Sequence, residues 1–194
     1  MSDDVLSPLL QALRDLIEWL HERNVRGIII GGVAASLLGR PRVTRNIDAL
    51  VLLDSNGWEE FLNGGQRFGF IPRIGDPLVF AQKSRVLLVT HKPSEIDIDI
   101  SFGLLPFEKE AVDRAVNTDV AGITIPLPTP EDLAIMKAVA HRPIDMADIQ
   151  SLVDAQPNID LRRVRQWVSE FSSVLELPEI YNDLEKILSQ RKIS

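Results

Sequence analysis

Asn46 and Asp48 stand two residues apart in a run that is otherwise apolar, with Ile47, Leu50, Val51 and Leu52 around them. Residues i and i+2 of a strand share a face, so the amide and the carboxylate point the same way. Polar groups on such a strand lose hydration unless something binds them. Hard dications take oxygen ligands, so a divalent metal is one partner that fits. A strand whose polar face is simply wet is the other reading. The segment EIDIDIS, residues 95–101, repeats the pattern. Glu95, Asp97 and Asp99 fall on one face and Ile96, Ile98 and Ile100 on the other. Carboxylates this close raise one another's pKa unless a cation intervenes. An edge strand with a solvated acidic face would read the same way by itself. Two such strands in one small domain make the stronger observation.

Gly31-Gly32 lies between a short apolar run, Gly27 to Ile30, and a helical stretch, Val33 to Leu38. A strand that turns on glycines into a helix exposes backbone N–H groups at the helix start, which suits phosphate. Glycines at such a turn also serve packing alone. A dinucleotide fold would need G-x-G-x-x-G, which residues 31–36 do not supply. His21, His91 and His141 show no metal spacing and read as surface or internally satisfied side chains. Arg162, Arg163 and Arg165 beside Trp167 could meet RNA phosphates or line a solvated helix face. The chain has no cysteine, which excludes disulfides, thiolate metal sites and a cysteine nucleophile.

The elements that position these groups follow from spacing. Leu6, Leu9, Leu10, Leu13, Leu16, Ile17 and Leu20 predict an amphipathic helix, with Ser7-Pro8 as its cap and first-turn proline. It ends near Asn24. Strands are predicted over 27–30 and 47–53, then a helix with Trp58, Phe61 and Leu62. RVLLVTH (85–91) and EIDIDISF (95–102) read as adjacent strands turned by Lys92-Pro93-Ser94. LPFEKEAVDRAV reads as a helix and GITIPLP as a strand. From Thr129 the pattern is helical only, starting with an N-cap, Pro130 and two acids.

The chain has 194 residues, 45% apolar and 25% charged, enough for a sizeable core. Its net charge of −7 excludes a generally basic surface but not a local basic patch. No apolar run approaches the ~20 residues of a membrane helix. The acidic Met1-Ser2-Asp3-Asp4 lacks a basic signal region, so a cytoplasmic protein is expected.

Gly31, Gly32, Ala34, Gly39, Arg42, Thr44 and Asp48 match G-G-x-A-x-x-x-x-G-x-x-R-x-T-x-D-x-D without a gap. This resembles the nucleotidyltransferase superfamily of polymerase-beta-type fold. Within it the chain looks closest to the abortive-infection-type toxin nucleotidyltransferases and their uncharacterised relatives. PEDLAIMKAVAHRPIDMADI, with Lys137, Arg142, Asp145 and Asp148, is similar to a later block of that group. The resemblance covers roughly residues 25–155.

It implies an α+β fold: a small mixed sheet flanked by helices over residues 1–128, then a helical portion over 129–194 packed on that core. It implies Mg²⁺ or Mn²⁺ held by Asp48 with Asp97 or Asp99, and an NTP as substrate. Gly31 and Gly32 would hold phosphates, and Arg42, Thr44, Arg45 and Lys137 would join the nucleotide site; a solvated surface role is the other reading of Arg45, and an exposed helix lysine that of Lys137. An RNA such as tRNA or a protein is the implied acceptor, with a partner protein if the chain belongs to a toxin–antitoxin pair.

The family pattern asks for aspartate at position 46, and this chain has Asn46. An amide keeps one ligating oxygen but not the charge. Two readings follow. Asp97 and Asp99 together replace the missing charge in an enzyme, or the chain is a non-catalytic relative that binds a nucleotide, RNA or protein.

Overall fold

The computed structural model describes the backbone of residues 3–190 and the side chains of 7–190. By proximity the chain divides into two compact units. One holds the residues up to Val33 together with Thr44–Leu127; the other holds Ala34–Val43 and the residues from Pro128 onward.

The first unit is built on a five-stranded mixed sheet in the order β1-β2-β5-β4-β3. These are β1 (Arg26–Ile30), β2 (Asn46–Leu52), β3 (Phe70–Pro72), β4 (Val86–His91) and β5 (Ile96–Phe102). β2 and β5 run parallel, and every other pairing is antiparallel. One sheet face is dry. Ile47, Ala49 and Val51 of β2, Leu87 and Val89 of β4, and Ile98, Ile100 and Phe102 of β5 are buried there. On the other face Asn46, Asp48, Leu88, Thr90, Asp97, Asp99 and Ser101 are half-buried, while Leu50 is buried. That alternation is what a strand packed on one side produces.

Helix α1 (Asp3–Glu22) belongs to this unit. Its apolar stripe buries Leu13, Leu16, Trp19 and Leu20. Trp19 stacks on Phe61 at 4.2 Å and on Phe70 at 5.0 Å, and its indole N–H donates to the Phe61 carbonyl at 3.1 Å. The expected start at Ser7-Pro8 is corrected. The helix begins at Asp3, and Pro8 lies inside it at the loss of one early hydrogen bond.

Three further elements carry no clear sequence signal. β3 is three residues long, too short for periodicity to show. Helix α4 (Pro77–Ser84) follows it in a segment that reads as β-rich. β6 (Val116–Val120) pairs with β7 (Ile123–Leu127), the strand expected from GITIPLP. Their two-residue turn, Ala121 at φ 50° and Gly122 at φ 78°, has the left-handed geometry that hairpin twist requires. Helices α3 (Trp58–Gly65) and α5 (Pro106–Asp113) complete the unit.

Helix α2 (Gly31–Leu38) carries the boundary between the units. The second unit contains α6 (Pro130–Ala140), α7 (Pro143–Ala155), α8 (Leu161–Leu175) and α9 (Pro178–Ser189). Thr129 caps α6 by accepting from the Asp132 N–H at 3.2 Å, as its sequence predicts. The α2–β2 connection lies against α7: a Cβ on Gly39 would meet Ser151 Oγ at 2.7 Å, and the Arg40 N–H donates to that oxygen at 2.6 Å. Of the α8 arginines named above, Arg162 is exposed, and the other two are held by acids. Arg163 pairs with the fully buried Asp132 at 2.8 Å, and Arg165 pairs with Glu185 at 2.7 Å. Among the described residues, no helix is long and apolar enough to cross a membrane.

Candidate active site

The pairing register aligns the chemistry in two rows across the half-buried sheet face. In the first, Asn46 lies beside Asp97, and Asp97 beside Thr90. In the second, Asp48 lies beside Asp99, and Asp99 beside Leu88. The Arg73 N–H donates to the Leu88 carbonyl at 3.0 Å, which carries the β3–β4 ladder one residue past Pro72. The second row therefore reads Asp48, Asp99, Leu88, Arg73. Antiparallel and parallel pairing together set this order, because β5 lies between β2 and β4.

Arg73 reaches back along its row. Its guanidinium donates to Asp99 Oδ1 at 2.5 Å and pairs with Asp97 Oδ2 at 3.1 Å. Thr90 donates to Asp97 Oδ1 at 2.6 Å. The Thr90 hydroxyl, with Arg73 and against partial desolvation, holds the Asp97 carboxyl below its ordinary range. Partial burial works against the Arg73 charge, yet its bonds to Asp99 and Asp97 prevail and raise its pKa. The two aspartates are not deeply buried, with side chains 45% and 36% exposed.

Asn46 Nδ2 donates to Asp48 Oδ1 at 3.3 Å. A second carboxylate at 46 would repel Asp48 at this spacing; the amide attracts it. Thr44 Oγ1 donates to the Asn46 carbonyl at 3.2 Å, at the point where β2 begins. Gly31 sits at φ 64°, and a Cβ there would fall 2.6 Å from Asp48 Cγ and closer still to Oδ2. Only glycine can turn from β1 into α2 with Asp48 this close. The glycine turn and the acid are thus one packed feature.

Other expected residues lie elsewhere. Glu95 is not part of the acidic strand face. It occupies the turn at φ 57°, and β5 starts one residue later, because the left-handed turn breaks the alternation. Arg45 is exposed. Arg42 and Lys137 belong to the second unit. Arg42 forms a two-pronged pair with Asp148 at 2.9 and 3.0 Å. Lys137 is buried and lies 2.9 Å from both Asp145 and Asp148, which corrects its reading as an exposed helix lysine. Arg142 also holds Asp145, at 2.6 Å. Burial pushes the Asp145 carboxyl up, but the bonds from Arg142 and Lys137 outweigh it and hold the group below its ordinary range.

His91 is fully buried, with Nδ1 2.7 Å from the Ser94 hydroxyl; its Nε2 lies 2.9 Å from an Asp15 carboxylate oxygen but makes no hydrogen bond, so the expected internal satisfaction holds for one ring nitrogen only. Thr90 and Arg73 are the site residues that sequence reasoning misses. Neither sits in a motif, and only strand register brings them to the acids. Among the described residues, no group of three or more histidine or acidic side chains is arranged to hold a metal. The donor types still fit a hard dication: three carboxylates and an amide on one sheet face.

The family model described as "Nucleotidyltransferase of unknown function (DUF6036)" matches residues 6–190. The chain belongs to this family. Solved structures agree on the fold. The antibiotic-resistance factor ANT(2'')-Ia superposes with a TM-score of 0.62 at 16% identity, over 90% of this chain and 97% of that one. An antigenic nucleotidyltransferase-like protein from Paracoccidioides brasiliensis gives 0.53 at 16% identity, over 91% and 92%. The lincosamide antibiotic adenylyltransferase LnuA, solved with lincomycin, gives 0.50 at 15% identity, over 80% and 99%. No curated protein matches the chain. The α+β nucleotidyltransferase fold expected from the glycine–aspartate motif is the fold the family adopts here.

Proposed function

We propose that this chain transfers a nucleoside monophosphate from an NTP to a hydroxyl-bearing acceptor. The observation that carries the reading is the row in which Asp48 and Asp99 lie side by side, with the Gly31 turn packed on Asp48. Family membership and the fold support it.

The divalent ion would be held by Asp48 and Asp99, with Asp97 and the Asn46 amide oxygen at its edge. Asp99 is preferred to Asp97 as the acid that joins Asp48 because it adjoins Asp48, whereas Asp97 adjoins Asn46 and is bonded to Thr90. When bound, Mg²⁺ or Mn²⁺ would neutralise the triphosphate and acidify the acceptor hydroxyl. The N–H groups at Gly31-Gly32 would take phosphate oxygens. In the transfer the acceptor oxygen bonds to the α-phosphorus, the bond to pyrophosphate breaks, and the hydroxyl proton passes to solvent or a carboxylate. The ion cluster supports a structural role for Arg42 and Lys137. For the acceptor, an RNA such as tRNA or a protein follows from the sequence resemblance. LnuA and its bound lincomycin support a small hydroxyl compound as a further class.

A second reading has its own observation. Asn46 and Arg73 lower the negative charge of the face without any metal, as a binding module would require. A partner protein, as in a toxin–antitoxin pair, is compatible with either reading.

Each α-phosphate-labelled NTP, incubated with the protein, Mg²⁺ or Mn²⁺ and pooled tRNA, protein or lincomycin, tests the proposal. Label should move to one acceptor and should be lost with Asp48→Ala. Label that moves equally with Asp48→Ala would overturn the assignment of the site, and no label with any acceptor would favour the binding module.

A further inference from the structure

The acidic face already carries a cation of its own. Arg73 is anchored by its backbone to Leu88, in the row of Asp99 and Asp48, and its guanidinium spans Asp99 Oδ1 and Asp97 Oδ2. It is one-third exposed and sits at the end of a three-residue strand, ahead of the loop to α4. A guanidinium is planar and singly charged, and two carboxylates that bond it spend their oxygens on hydrogen bonds. A dication needs the same oxygens. Part of the side chain already faces water.

We propose that Arg73 is a displaceable counter-ion that competes with the divalent cation for Asp97 and Asp99. It holds the acidic face together while no metal is bound, and it must swing away before the metal can be seated. Without it Asp97 and Asp99, two residues apart on one strand face, would lose the cation that bonds them both, a state that like-charge repulsion disfavours. Thr90 keeps Asp97 aimed in both states, because its hydroxyl uses Oδ1 and the guanidinium uses Oδ2. The Asn46 amide fits the same economy of charge: with one acid fewer, a single guanidinium suffices. This inference rests on the reading that the acidic row takes a dication, and it adds what that cation must displace.

The test uses Mn²⁺ alone, titrated into the full chain by calorimetry without nucleotide. Arg73→Gln should bind Mn²⁺ about tenfold more tightly than the unaltered protein, and Arg73→Lys by much less. Adding Asp99→Asn to Arg73→Gln should abolish the gain. Equal or weaker Mn²⁺ binding by Arg73→Gln would overturn the proposal. A measurement on the unaltered protein guards against misfolding of the variants: the Arg73 Nη–H resonance, from the groups that meet Asp97 and Asp99, should shift and exchange faster with solvent as Mg²⁺ is added. An unchanged resonance at Mg²⁺ saturation would also overturn it. If Arg73→Gln gains Mn²⁺ affinity while no NTP is ever transferred, the counter-ion stands and the transferase reading falls. If transfer is found and the Mn²⁺ affinity is unmoved, the reverse holds.

Discussion

The molecule has two places where arginine or lysine meets paired aspartates, and they differ in what surrounds them. In the second unit, Lys137, Asp145 and Asp148 are 4%, 0% and 6% exposed, with Arg42 and Arg142 closing the cluster. On the sheet face of the first unit, Arg73 meets Asp97 and Asp99 with all three side chains in reach of water. Breaking a buried pair leaves a charge with no solvent to receive it, so the first cluster is fixed. A half-exposed pair can exchange one cation for another at little cost. The same residue types therefore make a structural joint in one unit and an adjustable face in the other.

The sharpest way to break that contrast is Lys137→Ala. It strands two buried carboxylates and should cost about 3–5 kcal/mol, read from urea unfolding with an unchanged slope. A loss under 1 kcal/mol would mean the cluster is not a joint. The cluster also fixes an acid sensitivity. The Asp145 carboxyl is held below its unfolded value near ~3.9, so its contribution is complete above that pH. It is lost as pH falls through the lower, folded value. Urea midpoints should therefore drop below about pH 4, and less steeply in Asp145→Asn; equal steepness would remove Asp145 as the cause.

On the sheet face the largest effect belongs to Gly31. Alanine there must adopt φ 64° and press on Asp48, at a cost of about 1–3 kcal/mol. NTP binding should weaken with it, because the turn and the acid move together. If stability falls but nucleotide binding is untouched, the turn is a packing feature alone. The smallest effect belongs to Arg165→Ala, since Arg165 and its partner Glu185 are both half-exposed. It should change stability by under ~1 kcal/mol and leave nucleotide binding unaltered. A larger loss would place that half-exposed pair with the buried cluster.

Much of this was legible before any coordinates. The Gly31–Asp48 spacing pointed to the fold, and the alternation at Asp97 and Asp99 placed both acids on one face. The helices after Thr129 followed from their period and caps. What stayed hidden depends on register. Arg73 lies 24 residues before Asp97 on a strand too short to show a pattern, and only the β3–β4–β5 order brings it to the acids. Lys137 looked like one more helix lysine, since nothing in its neighbours reveals that Asp145 and Asp148 fold back onto it. Glu95 misled for the opposite reason: its alternation was perfect, and a left-handed turn ended the strand beneath it.

The most direct test of the account is a calorimetric titration of each of the four NTPs into the protein, with and without Mg²⁺, beside Asp48→Ala. The account predicts that at least one NTP binds only with metal and that Asp48→Ala weakens it by about tenfold or more. Binding that ignores both the metal and Asp48 would contradict it.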